Sequence, residues 1–131
     1  MAKKGYMIAV SNGEIIDKST ILAIKISMVK DELKLGNIRT EILSLQDIVK
    51  DIKSLTDIQD DVDNLFNVNL ALWHVEDMLR QKELDKEFDE EFILLARNVY
   101  FHNDERARLK NIINEKTGSV IVEEKDYVEY K

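Results

Sequence analysis

Residues 87–118 read EFDEEFILLARNVYFHNDERARLKNIINEKTG and form the longest periodic stretch of the chain. Apolar side chains recur every three or four positions through Leu95 and Val99 and return at Leu109, which is the spacing of one helical face. Gly118 suits the left-handed backbone position that often ends a helix. The stretch therefore predicts one long helix at the centre of the fold.

The composition points to a small helical protein. The chain has 131 residues, 44% hydrophobic and 34% charged, with no proline and four glycines. This length fits one helical domain over residues 1–131, and the scarcity of helix breakers favours long helices with short loops. The net charge of −7 argues against nucleic acid or an anionic membrane as partner, and the absence of cysteine excludes disulfides and thiolate chemistry. No apolar run is long enough for a membrane span or signal peptide, so we expect a cytoplasmic protein.

Capping signals and periodicity place the other elements. A capping box at Ser11 and Glu14 starts the first helix, and Gly36 is suited to end it. The predicted elements are a strand at about 6–10, helices at about 12–35, 38–55, 57–84 and 87–118, and a strand at about 119–123. We therefore predict an all-α fold, a four-helix antiparallel bundle of long helices in which the two short terminal β-strands pair. The first and fourth helices are apolar on two sides, so we expect a homodimer or higher oligomer.

Polar residues interrupt the apolar faces of the third and fourth helices. If these helices pack antiparallel, Asn69 lies near Asn103, and Arg106 lies near Asn64. His102 borders the same face, and Glu76 and Arg80 form a second polar layer. Burying such groups unpaired costs several kcal/mol. Three interpretations stay open: a paired network that fixes helix register, a ligand-binding cleft, or a subunit interface.

The outer face of the fourth helix carries a second polar group. Arg97 and Arg108 have the forked donors that grip a phosphate or carboxylate, and Tyr100 lies between them. Alternatively, Asp104 and Arg108 form a surface ion pair at helical i, i+4 spacing. The two histidines lack the i, i+4 spacing of a helical zinc site, and we predict no metal site and no cofactor.

One enzymatic alternative rests on paired carboxylates. Helical nucleotide pyrophosphohydrolases bind magnesium through E-x-x-E and E-x-x-D pairs, and the spacings of Glu87 with Glu90 and of Glu14 with Asp17 match them. Magnesium favours carboxylates together with substrate phosphates. The alternative function is therefore a metal-dependent hydrolase of a nucleotide or sugar nucleotide, with magnesium as its cofactor.

Four motifs together resemble a known family. They are GExxDK at 13–18, LWxxED at 72–77, LARxVYxxNDxRAxLK at 95–110 and EEKxY at 123–127. The chain resembles a family of small uncharacterised proteins, a domain of unknown function, from bacteria and their phages. The resemblance implies no assigned activity, but it implies a link to genes for sugar transfer and cell-surface polysaccharides. It draws attention to these residues: Glu14, Asp17, Lys18, Trp73, Glu76, Asp77, Arg97, Tyr100, Asn103, Asp104, Arg106 and Glu124.

The sequence thus predicts a non-enzymatic binding or assembly protein, linked through the resemblance to surface-polysaccharide metabolism. The alternatives are the hydrolase described above and a purely structural dimerisation module. The expected partners are a second copy of the chain and another protein, with no nucleic acid and no membrane. The candidate ligand-binding residues are Arg97, Tyr100, Asn103, Asp104, Arg106, Arg108, Asn69, Glu76, Asp77, Trp73, Glu14, Asp17 and Lys18.

Overall fold

The computed structural model describes residues 2–131 and consists of four α-helices joined by short connections. The helices are α1 (Asn12–Met28), α2 (Glu32–Leu55), α3 (Gln59–Leu84) and α4 (Glu90–Thr117). The all-α bundle predicted from the sequence is confirmed. No helix within the described residues has both the length and the apolar character needed to cross a membrane.

The core lies where α1, α3 and α4 meet the end of α2. The helices α3 and α4 pack along each other, and α1 lies against both of them, whereas α2 packs almost wholly against α1. The side chains of the main core cluster are Ile16, Ile52, Ile58, Val62, Leu65, Leu109 and Ile113. Because α2 contacts mainly one neighbour, one side of the α1–α2 pair is left uncovered.

The two predicted terminal strands are wrong. Residues 6–10 and 119–123 have no regular secondary structure, and Tyr6 and Met7 are 84% and 97% exposed. Two strands this short, with no layer to cover them, would be marginally stable in water. The two ends of the chain do meet, but through side chains: the Asn12 amide donates to Ser119 Oγ at 3.0 Å, and Asn12 Nδ2 donates to Thr117 Oγ1 at 2.9 Å.

The boundary between the first two helices also differs from the prediction. The apolar repeat suggested one helix through residue 35, but α1 ends at Met28 because Val29 takes an extended backbone. Asp31 then caps α2, accepting a hydrogen bond from the Lys34 amide at 3.0 Å. Gly36 therefore lies inside α2 and does not end the first helix, contrary to the prediction.

The bounds of the last two helices are close to the predicted ones. The α4 helix begins three residues later than predicted, at Glu90, because Asp89 accepts a hydrogen bond from the Phe92 amide at 2.9 Å and so caps it. It ends as predicted at Gly118, which has φ 67°. Acidic residues crowd the start of α3, and one of them, Asp61, is paired with Lys116 at 2.7 Å.

Candidate functional site

The interior of the bundle contains a charge pair centred on Asp17. The side chain of Asp17 is 1% exposed, because it lies on the face of α1 that is turned away from solvent. Arg106 donates from Nε to Asp17 Oδ1 at 2.9 Å and from a terminal nitrogen to Oδ2 at 2.6 Å. Asn69 Nδ2 adds a bond of 2.8 Å to Asp17 Oδ1 and one of 2.9 Å to Thr20 Oγ1. One carboxylate thus joins α1, α3 and α4.

Arg106 is committed to this interior pair. Its hydrogen bonds with Asp17 raise the pKa of the guanidinium against the lowering effect of partial burial, and the charges of Glu14 and Glu76 add to the rise. Its remaining terminal nitrogen lies 3.5 Å from Asn103 Oδ1. Every buried side-chain nitrogen or oxygen within residues 2–131 has a hydrogen-bond partner. The network is therefore complete without a ligand.

A second polar cluster closes the end of the bundle where α1 begins. Lys110 forms an ion pair with Glu14 and a second with Glu123 at 3.3 Å, and Ser11 donates a hydrogen bond to Glu123. Burial is the largest single effect on the pKa of Lys110, and it lowers that pKa. The hydrogen bond with Glu14 and the charges of Glu14, Asp17 and Glu123 together outweigh burial, so the pKa is raised overall. Burial acts to raise the pKa of Glu123, but the bonds from Ser11 and Lys110 outweigh it and lower that pKa.

Close contact between α1 and α4 depends on Gly13. Its amide donates to Asn114 Oδ1 at 2.6 Å, and a Cβ atom added here would stand 2.3 Å from the Lys110 carbonyl oxygen. Backbone cannot yield to that approach as a flexible side chain can. Only glycine lets the two helices approach closely enough to align the clusters described above.

The C-terminal tail, residues 119–131, runs back along α4. Asp104 holds it through an ion pair with Lys125 at 3.6 Å and a hydrogen bond from the Tyr130 hydroxyl. The Tyr130 ring lies 5.4 Å from Tyr100 and 5.6 Å from Phe101 between ring centroids. Contact with both charged and aromatic groups of α4 fixes the tail against the helix.

Between this tail and α4 lies a cleft of about 430 Å³, which we call the tail cleft. Its lining residues are Tyr100, Asp104, Lys125, Asp126, Tyr127, Val128 and Tyr130. A polar groove of about 270 Å³ continues from it past Arg108 and Asn111. The tail cleft falls within the 300–1,000 Å³ typical of small-molecule sites, and it combines aromatic rings with a few charged groups.

Comparison with known proteins gives one match. Residues 6–130 match a family described as a family of unknown function (DUF6165). The chain belongs to this family. The matched range includes all four helices, the interior pair and almost the whole tail of this DUF6165 protein. No curated protein and no solved structure matches the chain.

The structure brings some of the predicted polar layer together, but around a different centre. Asn69, Asn103 and Arg106 lie near one another as predicted, yet Asp17 joins them, whereas the sequence interpretation placed Arg106 near Asn64. His102, Glu76 and Trp73 are half-buried. The predicted second layer of Glu76 and Arg80 is wrong, since Arg80 is exposed and lies 3.8 Å from Asp77.

The outer face of α4 also differs from the prediction. Arg108 donates to Glu105 at 2.9 Å from Nε, and so the predicted pair of Asp104 with Arg108 is wrong. Asp104 instead holds the tail. The guanidinium carbon of Arg97 lies 5.6 Å over the Phe101 ring. Of the other candidates, Lys18 pairs with Glu41 at 3.4 Å on the surface, away from both polar clusters.

Sequence reasoning missed several residues of both sites. Lys110 and Glu123 of the end cluster, and Tyr127 and Tyr130 of the tail cleft, were not among the candidates. Glu14 and Lys110 of the end cluster are 96 positions apart, and Ser11 and Glu123 are 112 apart, separations for which no periodic signal exists. The tail offered one signal, the repeated tyrosines of its last five residues, which a solvated charged arm does not need.

Proposed function

We propose that this chain is a non-enzymatic binding protein that takes a sugar in the tail cleft and serves bacterial or phage surface-polysaccharide metabolism. The observation that carries the proposal is the docking of the tail on Asp104 and Tyr100, which builds a cleft of about 430 Å³. Because the tail supplies five of the seven lining residues, the cleft depends on the tail being docked.

The chemistry of the lining favours a neutral hydroxylated ligand. Tyrosine rings offer an apolar face on which the C–H face of a sugar can pack, and their hydroxyls, with Asp104 and Asp126, are hydrogen-bond partners for sugar hydroxyls. The lining carries two carboxylates and one ammonium group, a net charge of −1. That charge opposes phosphate, so the sugar is the recognised part of any nucleotide sugar.

Binding can be tested by NMR titration with free monosaccharides and nucleotide sugars. We expect at least one sugar to cause saturable shifts in the backbone amides of residues 124–131 and of α4 around Tyr100. Changing Tyr127 to alanine should weaken that binding about tenfold, because it removes one stacking surface. Tyr127 is 51% exposed, so its loss should leave the fold intact.

The matched control is Tyr6→Ala, because Tyr6 is an exposed tyrosine at the other end of the chain. This variant should bind as the wild type does. Shifts caused equally by free nucleotides with magnesium would contradict a sugar site and favour the hydrolase alternative. Absence of saturable binding by every sugar would refute the sugar-binding function.

The hydrolase alternative receives no support from the arrangement of the carboxylates. Glu14 is paired with Lys110 and Asp17 with Arg106, while Glu87 lies near the opposite end of α4. Within residues 2–131, no three histidine or acidic side chains are grouped so that they could hold a metal ion.

We also propose that the protein forms a homodimer, through the far end of the α3–α4 hairpin. Five large apolar side chains at that end are exposed by 46% to 74%, namely Met78, Leu84, Phe88, Ile93 and Leu94. Beside them Lys82 lies within 3.3 Å of Glu87, Asp89 and Glu91, which holds the turn of the hairpin in place. An exposed apolar patch of this kind is typical of a protein–protein contact.

Sedimentation velocity tests this dimer. The wild type should sediment as a dimer, and the Ile93→Glu/Leu94→Glu double variant as a monomer, because burying two carboxylates at an interface is costly. Leu33→Glu is the control, since Leu33 is 81% exposed on α2 and far along the chain from the hairpin. A wild type that stays monomeric at high micromolar concentration would refute the proposal.

A further inference from the structure

The uncovered side of the α1–α2 pair contains an apolar groove, separate from the tail cleft. The groove measures about 390 Å³ and lies between Leu22 of α1 and the α2 side chains Ile42, Leu45 and Val49. All eight lining residues belong to α1 or α2, and within residues 2–131 α2 packs almost wholly against α1, so neither α3 nor α4 lines this side. The floor is apolar enough to favour burial by a partner.

Charge at the groove departs from that of the whole protein. Lys50 and Lys53 stand among its lining residues and no carboxylate does, although the chain carries 26 acidic against 19 basic residues. A basic edge on an acidic protein attracts a segment with acidic flanks. The α2 side of the groove, from Ile42 to Lys53, spans about 17 Å, which equals about three turns of a helix.

We propose that this groove binds an amphipathic helix of another protein, whose apolar face packs on Ile42, Leu45 and Val49 and whose acidic flank meets Lys50 and Lys53. Helix-in-groove recognition uses apolar anchors at helical spacing with charges at the edge. A second copy fits less well, because a two-fold contact through this groove sets the lysines of one copy close to those of the other. The proposal is independent of sugar binding in the tail cleft.

Two designed peptides test the charge match. Both are helical, about 15 residues long, with leucines at alternating spacings of three and four; one carries glutamates on its flanks and the other lysines in the same positions. Fluorescence anisotropy with the full protein should show saturable binding of the glutamate peptide. The lysine peptide should bind at least ten times more weakly.

Charge reversal of the groove provides the decisive comparison. The Lys50→Glu/Lys53→Glu variant should invert the preference and bind the lysine peptide more tightly. Both side chains are exposed, so circular dichroism should be unchanged. Lys30→Glu/Lys34→Glu is the matched control: it changes the net charge equally, at exposed positions outside the groove lining, and should keep the wild-type preference.

Several outcomes would overturn the proposal. These are no binding of the glutamate peptide, equal binding of both peptides, or a preference that the Lys50→Glu/Lys53→Glu variant fails to invert. A wild-type dimer that this variant dissociates would assign the groove to a second copy. Binding to phosphatidylcholine–phosphatidylglycerol vesicles without binding to the glutamate peptide would assign it to a lipid surface.

Discussion

Replacing Asp17 with alanine is expected to lower the free energy of unfolding by about 3 kcal/mol, because it leaves Arg106 and Asn69 without their shared partner. Arg106 keeps partial access to water, with 29% of its side chain exposed, which places the loss at the lower end for a broken buried pair. Urea unfolding followed by circular dichroism measures the change. The loss should appear as a lower midpoint with an unchanged m-value.

Two further variants test whether the loss of stability in Asp17→Ala comes from an unpaired buried charge. Asp77→Ala removes an exposed carboxylate and should stay within about 0.5 kcal/mol of the wild type. Asp17→Leu combined with Arg106→Met removes both charges together and should recover most of the lost stability, since no charge is left unpaired. If the double variant is as unstable as Asp17→Ala, the pair matters through shape and not through charge.

Replacing Gly13 with alanine is expected to destabilise the protein by about 3 kcal/mol, since overpacking against rigid backbone forces two helices apart. The new Cβ would meet the Lys110 carbonyl oxygen at 2.3 Å and Asn114 Oδ1 at 2.9 Å. Separation of α1 from α4 would also strain the bonds of Glu14 and Asp17. Thermal unfolding should show a lower midpoint.

Gly36→Ala is the matched control for this substitution and should have the opposite sign. Gly36 lies inside α2, and apart from its chain neighbours and the nearby backbone of α2 no atom lies within 4 Å of an added Cβ. Alanine there should raise stability by about 0.4–1 kcal/mol, because it restricts the unfolded chain and favours the helix. Equal effects of the two variants would contradict a contact role for Gly13.

Local sequence signals were enough to predict the helical fold. They failed for features that depend on contacts between distant parts of the chain. Gly118 ends α4 as expected, because a left-handed C-terminal cap depends on a single residue. The break at Val29 was missed because the apolar repeat continues across it, although Asp31 supplies a cap. The strand at 6–10 was predicted from local β-propensity, but a strand also needs a covered partner, which no local pattern guarantees.

The candidate site was predicted in part for the same reason. Helical periodicity placed Asn69 and Arg106 on inward faces, and both do point inward. Asp17 was also a candidate, through its spacing with Glu14 and through the family resemblance, but neither indicates which distant residue it meets. The sequence thus placed the members of the interior network on α3 and α4 together, but it did not connect them with Asp17 of α1.

The large sequence separation of the residues that contact Asp17 affects the order in which the chain is expected to fold. Asp17 meets Asn69 and Arg106, which lie 52 and 89 positions away, whereas α3 and α4 are joined by the short turn at residues 85–89. Because loop-closure entropy favours contacts between segments close in sequence, we expect the α3–α4 hairpin to form early and the contacts of α1 with it to form later. A contact made after the transition state acts on the unfolding rate. We therefore expect the Asp17→Ala variant to unfold faster than the wild type while folding at nearly the same rate, which stopped-flow measurements in urea can check.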